Sequence, residues 1–301
     1  MKRFLNPNNI LAFVTVAREG SVSRAAEILH LSQPAISHQI KRLSEETGVT
    51  LFRRTPHGLN LTIDGEALLP RAEQVLSAMA ELRRSASTQS GQISGKLKIG
   101  TIVDPEFIRL GQLLNRLREN HPRIVSELVH GISGEILDKL KRRTIDVGFY
   151  LCSPEEIAVI PSEEPLYTKK LAHFAYRVIA PVGWESRVAN ASWCELAALP
   201  WIGTTPDSVH NRLLAKIFAR HSVVQNSVAL VDHEASMLEM VRSGVGLCLC
   251  RESIALHQRQ AYGVSICETQ RIPACLCILT LDAQKDTPIM TALFEQVDAI
   301  W

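Results

Sequence analysis

Residues Gly20–Leu43 read GSVSRAAEILHLSQPAISHQIKRL. Ser21 or Ser23 can cap a short helix that carries Ala25, Ala26, Ile28 and Leu29, and His30-Leu31 breaks it. Ser32 then caps a second helix, in which Pro34 is tolerated because it lies in the first turn. Gly48 closes that helix after Thr47. Ile36, Ile40 and Leu43 share one face, while Gln33, Ser37, His38 and Lys41 share the other. The small Ala25-Ala26 pair lets the two helices approach closely. The outward face is rich in amide, hydroxyl, imidazole and ammonium groups and has no acid before Glu45. Such a face can hydrogen-bond to base edges without repelling phosphate. A structural helical hairpin is the competing reading.

Upstream, Asn6-Pro7 starts a further helix, with Ile10, Phe13, Val14 and Ala17 at helical spacing and Gly20 as its stop. Downstream, Val49–Phe52 and Leu59–Thr62 are strand-like, and Arg53–Gly58 is expected as a turn carrying two arginines. A basic two-stranded wing beside a helix-turn-helix contacts the nucleic-acid backbone; a solvated surface hairpin has the same pattern. Charge supports the first reading. Residues 1–62 carry eight Lys/Arg and four Asp/Glu, net +4, while residues 63–92 and 93–301 each come to −1. A basic segment on a near-neutral body is a nucleic-acid footprint.

Gly20–Leu43, continued in register by Leu51-Phe52-Arg53-Arg54, Leu61-Thr62 and Gly65, resembles the N-terminal signature of the LysR-type transcriptional regulators. His38 and His57 depart from it, standing where the family often has Arg. Asp64 stands where a small residue is usual. The resemblance implies a winged helix-turn-helix over 1–62. Double-stranded DNA would be held by Ser23, Arg24, Ser32, Gln33, Pro34, Ser37, His38, Lys41, Arg53, Arg54 and His57.

Thr62 can cap a long helix whose Leu68, Ala72, Val75, Met79, Leu82 and Ala86 fall at heptad spacing. An apolar stripe of this kind wants a partner, and the resemblance supplies the same helix of a second subunit, hence a homodimer on a dyad-related site. Further association through the effector domains would give a homotetramer. Ser85–Gly95 reads as a linker, so 63–92 is expected to be a dimerisation helix and hinge.

Residues 93–301 alternate strands and helices, an open α/β arrangement. Strands are expected at 96–102, 124–129, 146–150, 175–179, 201–203, 227–231, 246–250 and 274–281. Helices are expected at 106–120, 134–143, 208–220, 233–243 and 288–300. The resemblance implies a two-lobed, periplasmic-binding-protein-like effector domain, with lobes at about 93–165 plus 267–301 and about 166–266. Its ligand would be a small molecule between the lobes. Helix-opening loops make Thr101, Asp104, Ser133, Thr204, Ser208 and His233 the candidate contacts. Gly131–Gly134 is a candidate backbone-amide nest. Asp104 is either a helix cap or a cleft carboxylate that disfavours acidic ligands.

The 301-residue chain is 46% hydrophobic and 21% charged, the range of a globular protein. No secretory signal or membrane span is read, so a cytoplasmic location without membrane contact is expected. There is no P-loop, GxSxG, HExxH or GxGxxG, and the ten histidines lack metal-ligand spacing, so no enzyme, cofactor or metal is expected. Seven scattered cysteines fit a reducing compartment. Cys152, at a strand end, leaves thiol-based redox sensing open. A cytosolic solute-binding or catalytic α/β protein with a helical extension is the alternative of another class.

Overall fold

The computed structural model describes residues 5–55, 58–87, 93–102 and 104–301. The chain divides into two compact units, Met1–Gly91 with Arg142–Thr144, and Gln92–Lys141 with Ile145–Trp301.

The first unit opens with α1 (Pro7–Glu19), capped by Asn6, whose side chain accepts from the Asn8 N–H, and stopped by Gly20 at φ 64°. α2 (Val22–Leu29) takes Ser21, not Ser23, as its cap. α3 (Gln33–Thr47) is capped by Ser32 Oγ, which accepts from Ala35 N at 3.3 Å, and ends on Gly48 at φ 76°. Ala12, Val16, Ala25, Ala26 and Ile36 form the seam where the three helices meet. Phe13 packs edge-on against Phe52 at 5.5 Å between ring centroids. β1 (Phe52–Thr55) and β2 (Gly58–Leu61) pair antiparallel, Phe52 opposite Leu61. Arg53 and Arg54 therefore lie within a strand, not in the turn expected from Arg53–Gly58. Strand pairing across the hairpin claims their backbone. α4 (Ile63–Ser87) follows, with Thr62 Oγ1 accepting from Gly65 N at 3.0 Å. A Cβ at Gly65 would stand 2.2 Å from the Leu51 carbonyl oxygen, so only glycine fits there. The start of α4 belongs to this core and is not a free linker: Leu68 and Ala72 pack with Ile10, Phe13 and Leu43. Arg18 pairs with Glu73 at 2.8 Å.

The second unit contains β3 (Gly95–Thr101), α5 (Leu110–Asn120), β4 (Ile124–His130), α6 (Ser133–Lys141), β5 (Val147–Cys152) and β6 (Leu166–Ala180). Then come α7 (Glu185–Val188), α8 (Trp193–Ala198), β7 (Trp201–Gly203), α9 (Val209–Arg220), β8 (Ser227–Leu230) and α10 (Glu234–Arg242). β9 (Cys248–Arg251), α11 (Glu252–Tyr262), β10 (Ser265–Leu281) and α12 (Pro288–Asp298) complete it. A six-stranded sheet runs in the order β4-β3-β5-β10-β6-β9. β3 is parallel to β4 and β5, while β10 is antiparallel to both β5 and β6.

Two lobes build separate cores. One gathers Leu97, Ile99, Leu113, Leu117, Val147, Phe149, Leu293 and Val297. The other gathers Val178, Leu196, Trp201, Leu213, Phe218 and Leu249. β6 and β10 contribute to both, and they change lobes side by side, where Ala274 pairs with Phe174. The crossing therefore lies in mid-strand, not at 166 and 267 as expected. The strands read from sequence at 175–179 and 274–281 are only parts of β6 and β10. Leu166–Phe174 mixes Lys, Thr and His into its apolar residues, which hides its alternation. α7, α8 and α11 were not expected at all. α5 starts later than expected because Arg109, at φ 45°, breaks the helical path before Leu110.

Candidate DNA-binding and effector sites

On α3, Gln33, Pro34, Ser37, His38 and Lys41 are all exposed, as is the cap Ser32. Ile36 and Leu43 are buried beneath them. Capping uses one lone pair of Ser32, so its hydroxyl proton is still available to a partner. The far end of the face is less basic than its lysine and arginine suggest: Lys41 lies 3.9 Å from Glu45, and Arg42 pairs with Glu46 at 3.3 Å. Ser23 and Arg24 are exposed on α2, but Arg24 is shared by Glu27 at 3.0 Å and Glu19 at 3.9 Å. Arg53 is exposed on β1. The Arg54 side chain and all of His57 lie outside the described residues.

Along α4 the heptad stripe divides. Leu68 and Ala72 are spent inside the unit, whereas Val75 and Met79 are each 42% exposed and Leu82 is 72% exposed. The Ala86 side chain lies outside the described residues.

In the second unit, a cavity of about 80 Å³ opens between the lobes. Asp104, Ser133, Thr204 and Ser208 line it, four of the six candidates. Thr101 does not: it is buried at the end of β3, opposite His130 of β4, its Oγ1 at 2.6 Å from His130 Nδ1. His233 is exposed beside Ser236, and its neighbours Asp232 and Glu234 face the cavity instead. Sequence reasoning missed Phe107, Tyr176, His210, Glu234 and Arg251, all of which line the wall.

Arg251 organises that wall. It closes β9 and is almost fully buried. Its Nη2 donates to Asp104 Oδ2 and lies 3.5 Å from Glu234 Oε2. Its guanidinium carbon stands 4.3 Å from the Phe107 ring centroid, a cation–π contact. Asp104 lines the cavity and caps no helix: α5 starts only at Leu110, and the other Asp104 oxygen accepts from Phe107 N, in the turn before it, at 2.9 Å. Burial holds the Glu234 carboxyl above its usual range, against the opposing pull of Arg251. Burial, helped by the Arg251 charge, lowers the His210 imidazole to about 4, so this ring is neutral at pH 7. It packs edge-on to Tyr176 at 4.8 Å.

The amide-nest expectation at Gly131–Gly134 fails. Gly131 N donates to Thr101 O and Gly134 N to Asp207 O, and Ile132 N lies 3.4 Å from Glu135 Oε2. The second lobe approaches so closely here that a Cβ on Gly134 would sit 2.7 Å from Asp207 Cβ. Ser133 Oγ accepts from Leu151 N at 3.1 Å. Thr204 is buried, and its Oγ1 has no hydrogen-bond partner among the described residues.

Cys152 does not border the cavity. It is buried in the core of its lobe beside Cys275 and Cys277. A hydrogen bond with Cys277, together with burial, raises its thiol pKa strongly, opposite to the low value a peroxide-reactive thiolate needs. Among the described residues no His/Cys/Asp/Glu cluster could hold a metal ion, and no helix is long and apolar enough to cross a membrane.

Two family models match the chain. Residues 7–66 match "Bacterial regulatory helix-turn-helix protein, lysR family", and residues 90–300 match "LysR substrate binding domain". Among curated proteins, the chain is 27% identical over 247 residues to the transcriptional activator IlvY of Salmonella typhimurium, covering 82% of each. It is 31% identical over 255 residues to the transcriptional regulator YoaU of Bacillus subtilis, covering 81% of each. Among solved structures, full-length CbnR in complex with its target DNA superposes with a TM-score of 0.63 at 20% identity, over 98% of this chain and 99% of that one. Full-length OxyR from Pseudomonas aeruginosa gives 0.69 at 20% identity, over 98% and 95%. These two structures share the fold.

Proposed function

The chain belongs to the LysR family of transcriptional regulators, and from that premise we propose the residues through which it reads DNA and senses its effector. Its relatives regulate transcription, and its two matched regions are a DNA-binding helix-turn-helix and an effector-binding domain.

α3 enters a major groove with Gln33, Pro34, Ser37 and His38 toward base edges. Ser23, Arg24, Ser32, Lys41, Arg53, Arg54 and His57 flank the phosphates. The supporting observation is the run of exposed, uncharged hydrogen-bonding side chains at the N-terminal end of α3, above a buried Ile36. Val75, Met79 and Leu82 meet their copies in a second subunit, so the DNA site is dyad-symmetric; the effector domains pair further into a tetramer. The effector sits in the cavity lined by Asp104, Ser133, Thr204 and Ser208, and the protein works in the cytoplasm.

The redox reading loses support from the burial of Cys152. Selection of DNA fragments by the full chain, followed by sequencing, tests the proposal. It predicts enrichment of a dyad-symmetric motif; recovery without common sequence would reject it.

A further inference from the structure

Open α/β folds that bind small molecules at helix N-termini are suited to anions, because those termini present unpaired N–H groups and a positive dipole end. In this cavity the starts of α6 and α10 carry the protein's own carboxylates, and α9 opens on the hydroxyl cap Ser208. In the turn ahead of α5, Asp104 accepts from Phe107 N. Glu135 takes the first turn of α6 and approaches Ile132 N. Glu234 takes the first turn of α10. The remaining amides of the Gly131–Gly134 loop that have assigned partners point to carbonyls of the chain.

The cavity's charges lean the same way. Its lining includes one guanidinium, Arg251, and three carboxylates, Asp104, Asp232 and Glu234. Arg251 already faces two carboxylates: Asp104 and Glu234 lie against Nη2, and Phe107 covers its face. His210 adds no positive charge at neutral pH. Asp232, by contrast, has no ion-pair or hydrogen-bond partner among the described residues and lies at the exposed rim. A buried excess of negative charge costs free energy until a cation offsets it. Burial, against the pull of Arg251 and with Asp104 nearby, holds the Glu234 carboxyl above its usual range. Thr204 Oγ1, buried in the cavity wall and without a hydrogen-bond partner among the described residues, is a second and independent group available to a ligand. Around these polar groups the wall is apolar: Ile102, Phe107, Ile132, Leu151, Val209 and Met237.

We propose that the cavity selects a small organic ammonium ion, an amine with a short alkyl or aryl body. Its charge lies among Asp104, Asp232 and Glu234, its body lies against Phe107 and Met237, and Thr204 hydrogen-bonds to it. This rests on the reading of the cavity as the effector site.

The test uses the full chain at pH 7 and matched ionic strength, titrated by calorimetry with n-butylammonium against butyrate and benzylammonium against benzoate. The ammonium ions bind and raise Tm, and their carboxylate counterparts do not. Asp232→Asn, at the exposed rim where folding is not at stake, and Glu234→Gln each weaken the amines about tenfold, one charge contact at 1.4 kcal/mol. Thr204→Val weakens them too. If carboxylates bind in preference and respond to Thr204→Val, the site stands and the ligand class is wrong. If probes bind but none of the three variants changes their affinity, the site itself is wrong. Absence of binding by both amines at millimolar concentration also overturns the proposal.

Discussion

Asp104 and Arg251, 147 positions apart in the chain, join the two lobes across the cavity through an ion pair. Asp104 belongs to the loop after β3 in one lobe and Arg251 to the end of β9 in the other. Arg212 adds a further tie, donating to Leu151 O of the first lobe and Asp207 O of the second, each at 2.8 Å. A ligand can regulate only if it favours one lobe arrangement over another, and groups that bridge the lobes are where such a preference acts.

Asp104→Asn retains an oxygen for Phe107 N and removes the charge facing Arg251. Arg251 still has Glu234 and Phe107, so the loss should be about 1–2 kcal/mol, below the full cost of orphaning a buried charge. Urea denaturation measures it; unchanged stability would mean the pair adds nothing to lobe closure.

Two hydroxyls in the cavity should behave oppositely. Ser133→Val leaves Leu151 N without its acceptor and should cost about 1–3 kcal/mol. Thr204→Val removes a hydroxyl with no partner, so stability should hold or rise while effector affinity falls. Equal stability losses would contradict the different bonding of the two groups.

His210 sets an acid limit on the second unit. Its folded pKa, about 4, lies below the ordinary 6.5, so the folded state binds fewer protons. The stability contribution is therefore complete above pH 6.5 and is lost as pH falls toward 4. A fully enclosed ring would lose about 3 kcal/mol over that interval. His210 borders an open cavity, so about 2 kcal/mol is expected after allowing for solvent screening. His210→Phe keeps the edge contact with Tyr176 and should flatten the stability–pH curve between those values. A curve of unchanged slope would assign the acid loss to other groups.

Met79→Asp places a charge in the middle of the exposed part of the α4 stripe. Sedimentation should show loss of the dimer, with weakened binding to a dyad site. An intact dimer would move the interface off Val75, Met79 and Leu82.

The winged helix was almost wholly legible, because its boundaries are set by local chemistry: Asn6, Ser21 and Ser32 cap, and Gly20 and Gly48 stop. The wing was read less well, since pairing across the hairpin, and not local preference, drew Arg53 and Arg54 into β1. In the second unit, loops opening helices pointed to Asp104, Ser133, Thr204 and Ser208, which line one cavity. Arg251 and Glu234 escaped because their meaning lies in partners far away in the chain. An arginine closing the apolar run Cys248-Leu249-Cys250 was the one available signal. Thr101 and His233 were misplaced for a related reason: strand and helix starts identify the right loop but not which neighbouring side chain turns inward.

The central claim, that the α3 face reads DNA sequence, is tested most directly by the affinity of the full chain for its selected dyad site and for unrelated DNA at one fixed salt concentration. The parent should prefer its site by about a thousandfold or more. Gln33→Ala should reduce that ratio by about 1–3 kcal/mol of discrimination, with unrelated DNA bound as before. Arg53→Ala should instead weaken both alike. If Gln33→Ala and Arg53→Ala weaken both DNAs alike, α3 is not the element that reads the bases.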